Sequence, residues 1–111
     1  MQIREITLKE LDIVFENVKE LHKTLSYKEF EDLIYDMRHI NYQMFGVFEK
    51  DVLITYAGVS ILTTLKDARH LRVFDFITSN KYDKKKYDTI MKKYLQDYAK
   101  VGMCESVKYE D

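Results

Sequence analysis

The sequence predicts an α+β fold: a mixed, mainly antiparallel sheet flanked by helices, in the order β-α-α-β-β-β-α-β. Three observations carry this prediction. Two amphipathic helical periods follow one short strand, the apolar period switches to two from Tyr42 onward, and a third helical period separates the last two strands. A helix joining the fourth and fifth strands makes that pair parallel through a right-handed crossover, while the short connections elsewhere make antiparallel neighbours.

Gln2 to Ile6 alternates polar and apolar residues and reads as the first strand. Thr7 followed by Glu10 is a capping box, since a hydroxyl and a carboxylate three residues apart satisfy the free amides of a helix start. The helix that follows places Leu8, Leu11, Val14 or Phe15, Val18, Leu21 and Leu25 on one face and ends near Leu25. Ser26 with Glu29 repeats the capping signal, and Tyr27, Phe30, Leu33, Ile34, Met37 and Ile40 then recur at spacings of three and four. Tyr42 to Glu49 and Val52 to Leu65 are rich in aromatic and branched residues and read as strands joined by Lys50-Asp51, a hairpin without the usual glycine. Lys66 to Arg69 is a second polar turn before a strand over His70 to Thr78. Ser79 to Lys86 is polar and lysine-rich. A third helix spans about Tyr87 to Lys100, with Gly102 as its left-handed stop, and Cys104 to Tyr109 closes the chain as a strand.

The 111 residues, 46% hydrophobic, suffice for one compact domain. Eighteen Lys and Arg against nineteen Asp and Glu give a net charge of -1, which excludes the overall positive field of a generic nucleic-acid binder. A single cysteine, Cys104, excludes an internal disulfide framework. The charged start lacks a signal peptide's apolar stretch, and no run approaches the ~18 apolar residues of a membrane span, so a cytoplasmic protein without membrane contact is expected. Three glycines and no proline weigh against glycine-rich phosphate loops.

The order of elements and several local runs resemble the GNAT superfamily of N-acetyltransferases, which move an acetyl group from acetyl-CoA to an amine. Phe45-Gly46-Val47-Phe48-Glu49 with Ile54-Thr55-Tyr56-Ala57-Gly58 is similar to the family's second and third strands, and His70 to Thr78 to its fourth. Tyr87 to Lys100 resembles the helix that supports coenzyme A, and Gly102 to Val107 the start of the fifth strand. The resemblance covers nearly the whole chain, residues 1–111, as a single domain. It implies acetyl-CoA as cofactor and a small-molecule or protein amine as acceptor, with Asp75 as base. It also implies a coenzyme site along Phe76, Ile77 and Thr78 and at Lys84, Lys85, Lys86, Tyr87, Asp88 and Thr89. The family continues past its fifth strand into a further helix and two strands that shape the acceptor site. This sequence ends at Asp111, which raises the expectation of a homodimer paired through an exposed sheet edge.

The family's phosphate motif is Arg or Gln, two residues, Gly, one residue, Gly or Ala. The aligned run, Asp83-Lys84-Lys85-Lys86-Tyr87-Asp88, keeps none of those positions. Glycines there let backbone amides approach the pyrophosphate, and a carboxylate about 5 Å from a phosphate adds up to roughly 3 kcal/mol of repulsion per charge pair. Against this, Asn80 to Lys100 holds seven lysines and three aspartates, so Lys81, Lys84, Lys85 and Lys86 offer mobile point charges. Two functions follow: acetyl transfer, or a non-catalytic binding or regulatory module that keeps the fold without the pyrophosphate loop.

Asp75 lies inside an otherwise apolar strand and has two readings, a base that takes a proton from the amine or a solvated acid paired with Arg72 or a lysine. The three histidines lack metal-ligand spacing, so no metal is expected. The tyrosines and methionines fall at core spacings and read as packing. Lys81 to Lys93 with interleaved tyrosines reads as a solvated helix start before a nucleic-acid surface.

Overall fold

The structure, a computed structural model, describes residues 1–110. Five strands form one sheet in sequence order: β1 (Gln2–Ile6), β2 (Gln43–Glu49), β3 (Val52–Thr64), β4 (Ala68–Thr78) and β5 (Ser106–Tyr109). The first four are antiparallel and β5 runs parallel to β4, as the α3 crossover (Lys84–Val101) requires. Helices α1 (Leu11–Val18) and α2 (Tyr27–Met37) cover one face of the sheet, and α3 covers the other. Among the described residues no helix is long and apolar enough to cross a membrane.

Each face carries its own core. Leu11, Val14 and Val18 of α1 and Phe30 and Ile34 of α2 bury against Met44, Phe48 and Tyr56. Tyr87, Met91, Leu95 and Ala99, one stripe of α3, bury against Phe45, Val59, Leu71 and Val73. The α3 stripe recurs every four residues, which keeps it on one side of the helix.

Helix α1 is shorter than its apolar period suggests. A 3-10 turn (Leu8–Glu10) precedes it, and after Val18 the chain breaks into turns in which Leu21 and His22 donate to the Val18 carbonyl. Leu21, expected in the core, is 65% exposed. Asn17 is buried at this end, and its Nδ2 donates to the Ile54 carbonyl at 3.2 Å, which fixes the last turn of α1 to β3.

Both capping signals form. Ser26 Oγ accepts from the Glu29 amide at 3.1 Å, and the Ser26 amide donates to the Glu29 carboxylate at 3.0 Å. Glu10 accepts from the Thr7 amide at 3.0 Å and from both terminal nitrogens of Arg4, at 3.0 and 2.7 Å. The Arg4 bond, helped by that amide, lowers the Glu10 pKa to about 2. A depressed carboxyl contributes stability above its unfolded pKa, near 4.5, and loses it as pH falls through about 2. Glu10→Gln should therefore cost about 1 kcal/mol at pH 7, a value reduced by partial exposure, and almost nothing at pH 2. Urea denaturation at the two pH values measures the convergence.

Two turns of the backbone use left-handed residues other than glycine, the first as expected and the second not. The glycine-free hairpin is closed by Lys50 and Asp51, both left-handed with φ of 49° and 68°, a geometry that type I′ turns demand. Gly102 is not the left-handed stop of α3: its φ is -79°, and Met103 adopts 60°. The amides of Met103 and Cys104 close back onto the carbonyls of Lys100 and Ala99 at 3.0 and 2.9 Å. A Cβ at Gly102 would lie 2.8 Å from Ile61 Cδ1, the end of a side chain that can shift to admit it. Met103 is exposed, so Met103→Gly should raise stability by about 1 kcal/mol, read as a rise of roughly 4–8 °C in melting temperature.

Candidate functional site

Two bulges shape the centre of the sheet. Val47 pairs with Thr55 and Phe48 with Leu53, so Ile54 is an extra residue in β3; Gly58 pairs with Asp75 and Val59 with Val73, so Phe74 is an extra residue in β4. The second bulge turns both Phe74 and Asp75 toward the α1–α2 face, where an unbroken alternation would separate them. Beyond it, Ile77 returns to the same face and is buried, while Phe76 and Thr78 face α3.

Asp75 is half-buried and accepts a hydrogen bond from the Tyr42 hydroxyl at 2.6 Å. Tyr42 is in turn 2.8 Å from the Tyr56 hydroxyl, and because the Tyr42 proton points to Asp75, Tyr56 is the donor to Tyr42. Burial holds both phenols protonated, with pKa values well above the usual tyrosine range. Gly58 makes room for this chain: a Cβ on it would lie 1.6 Å from the Tyr42 hydroxyl oxygen. Arg72, one expected partner of Asp75, pairs instead with Asp67 at 3.4 Å and Glu110 at 2.6 Å. Among the described residues no cation pairs with Asp75.

Asp75 opens onto a cleft of about 270 Å³ between the sheet and the α1–α2 pair. Tyr42 and Tyr56 form its floor with Asp75, Leu25, Phe30, Leu33 and Met37 supply apolar walls, and His22 lies at its margin. A carboxylate with free lone pairs at the end of such a cleft can receive an ammonium ion or accept a proton from it.

On the other side of the bulge β4 has an open edge. β5 pairs only with His70–Val73, and the Glu110 amide makes the last bond, to the Val73 carbonyl at 2.9 Å. The Ser79 amide donates to Ile54 in β3, so alternation leaves the backbone of Phe76 and Thr78 facing the open side. A groove of about 240 Å³ runs there, lined by Glu20, Leu21, Phe76, Thr78, Asn80 and Lys84 among others. The Phe76 ring lies 5.9 Å from that of Tyr109.

The start of α3 is engaged by its own side chains. Helix α3 begins at Lys84, a turn earlier than the apolar period indicates, because Asp83 is its N-cap and accepts from the Lys86 amide at 3.2 Å. Asp88 accepts from Thr78 Oγ1 at 2.5 Å and pairs with Lys84 at 2.6 Å. Thr78 also touches Thr55 Oγ1 at 2.8 Å. Tyr87 is buried and donates to Glu49 at 3.0 Å, Lys86 lies over the Tyr87 ring at 5.1 Å, and Thr89 donates to the Lys85 carbonyl at 2.8 Å. Lys85 is exposed. The structure thus brings Thr78, Lys84 and Asp88 together at the groove, and turns Ile77 and Tyr87 into the two cores.

No family model and no curated protein sequence matches the chain. Solved structures do. A GNAT family acetyltransferase from Staphylococcus aureus superposes with a TM-score of 0.79 at 14% identity, over 99% of this chain and 85% of that one. The ribosomal-protein-alanine N-acetyltransferase of Brucella melitensis gives 0.84 at 11% identity, over 100% and 80%. The aminoglycoside 6'-N-acetyltransferase of Acinetobacter haemolyticus gives 0.82 at 12%, over 100% and 79%. The chain has the GNAT fold.

That fold implies coenzyme A in general, and the residues at α3 do not fit its pyrophosphate. In a GNAT cradle the first amides of the helix face the phosphates; here the Asp83 carboxylate takes the Lys86 amide, and Asp88 and Glu20 add two more carboxylates beside the groove. Of the lysines expected to compensate, Lys84 is already neutralised by Asp88. Among the described residues no group of His, Cys, Asp and Glu is placed to hold a metal. Sequence reasoning singled out Asp75 and missed Tyr42, Tyr56 and Gly58. The usable signal was a glycine inside a branched strand run, which marks a close approach by another group.

Proposed function

We propose that this chain is a GNAT-fold module that binds an amine at Asp75 and does not hold coenzyme A through the start of α3. The observation that carries the reading is the Asp75 carboxylate, bonded by Tyr42 at 2.6 Å, without a cation, at the end of an apolar cleft. An ammonium ion supplies the missing charge, and because Asp75 is only half-buried the remaining N–H bonds can reach water beside the carboxylate. The carboxylates at α3 support the non-catalytic side of the reading, because each opposes a bound pyrophosphate.

The test is calorimetry with propylamine and 1-propanol, which share a chain and differ in charge. Propylamine should bind at millimolar concentration at least about tenfold more tightly than the alcohol, as a charged hydrogen bond allows. Asp75→Asn should abolish the preference while the fold persists. Equal binding of the two would sink the reading.

One observation favours a second reading, acetyl transfer to that amine. Asp75, held by Tyr42, would take a proton from the ammonium ion, the free amine would attack the thioester carbonyl, and the thiol would leave with that proton, while the open edge of β4 offers amides to an amide-bearing thioester arm. It predicts acetylation of propylamine by a short acetyl thioester without a nucleotide, lost in Asp75→Asn.

A further inference from the structure

The chemistry of the cleft walls narrows the kind of amine. Phe30 and Ile34 are buried in the wall, Met37 and Leu25 are half-buried, and Leu33 is 49% exposed at the margin. The polar atoms of the floor are already committed to one another: Tyr56 donates to Tyr42 and Tyr42 to Asp75. Among the lining residues His22, exposed at the margin, is then the one other polar side chain, so the walls at Leu25, Phe30, Leu33 and Met37 offer no donor or acceptor to a peptide backbone or a second charge. A volume of about 270 Å³ is at the small end for ligand sites, which hold drug-sized molecules in roughly 300–1,000 Å³.

We infer that the cleft takes a small free monoamine carried on a single apolar group, with the ammonium at Asp75 and the apolar group among Leu25, Phe30, Leu33 and Met37. This rests on the amine reading given above. A diamine would place its second ammonium against hydrocarbon, where nothing offsets the loss of its hydration. An amino acid would bring its own carboxylate toward Asp75, where like charges repel. A peptide amine would leave its first carbonyl and amide unpaired in the cleft.

Chemical-shift titration of the full chain with four probes tests this: 2-phenylethylamine, 1,4-diaminobutane, phenylalanine and 2-phenylethanol. The expected result is that 2-phenylethylamine binds at least about tenfold more tightly than each of the others and shifts the amides around Asp75 and Phe30. Leu33→Gln keeps a good helix former on an exposed position and should weaken 2-phenylethylamine about fivefold while leaving 1,4-diaminobutane unchanged. If the diamine or phenylalanine binds as well as 2-phenylethylamine, or if Leu33→Gln has no effect, the inference fails and the amine reading stands. If 2-phenylethanol binds equally, or no probe binds, the amine reading fails and takes the inference with it.

Discussion

Gly58→Val should lower the melting temperature by about 10–20 °C, the effect of roughly 3 kcal/mol on a domain of this size. The new side chain meets the Tyr42 ring, whose hydroxyl oxygen lies 1.6 Å and Cζ 2.1 Å from the position of a Cβ. Tyr42 is buried beneath α2 and β4, so its ring cannot swing away without breaking the bonds to Tyr56 and Asp75. Leaving those buried groups unpaired costs about 1–3 kcal/mol beyond the steric conflict. Tyr42→Ala destabilises by itself, since it empties a ring-sized space, but in that background Gly58→Val should cost far less because the valine has room. A double-mutant cycle by thermal denaturation reads the coupling directly, and independent, additive losses would refute the proposed contact.

The second large effect concerns the start of α3. Replacing Asp83 by Arg and Lys86 and Asp88 by Gly rebuilds the phosphate motif that the GNAT superfamily carries at this place. The triple variant should bind acetyl-CoA with a dissociation constant at or below about 100 µM, equivalent to roughly 5 kcal/mol, and the parent chain should show no binding in the same titration. The helix start will be weaker, by about 1–3 kcal/mol, because Asp83 caps the Lys86 amide and Asp88 joins Thr78 to Lys84. Circular dichroism before titration establishes that the variant is folded. A folded variant that still ignores acetyl-CoA would mean that something other than these carboxylates closes the site.

Much of the fold is legible in the residues because local and tertiary preferences agree. Ser26 with Glu29 caps α2 as its spacing indicates, and the apolar period of α3 selects Met91 and Leu95 for the core. Where the two levels diverge, the pattern misleads. Leu21 continues the apolar face of α1, yet no element reaches far enough to cover it, and the helix ends at Val18. Gly102 looks like a left-handed stop, but the helix runs a residue further before turning, and Met103 takes the left-handed geometry.

The candidate site was half legible for a similar reason. Asp75 stands out as an acid among apolar neighbours, and the loss of the phosphate motif is a plain departure at Asp83, Lys86 and Asp88. Tyr42 and Tyr56 do not stand out, since an aromatic residue in a buried strand has the same pattern whether its hydroxyl is idle or bonded. The bulge at Phe74 is hidden as well: Val73, Phe74, Phe76 and Ile77 form an apolar run without alternation, so nothing marks the residue at which the faces exchange.

Amide resonances of the parent chain, followed during titration with acetyl-CoA to millimolar concentration, decide whether the start of α3 seats a phosphate. The amides of Lys84, Lys85, Lys86 and Tyr87 should stay in place, because the Asp83 cap and the Asp88 carboxylate occupy the approach to the first turn of α3. Saturable shifts of those four amides would show a phosphate seated at the helix start and would contradict that expectation.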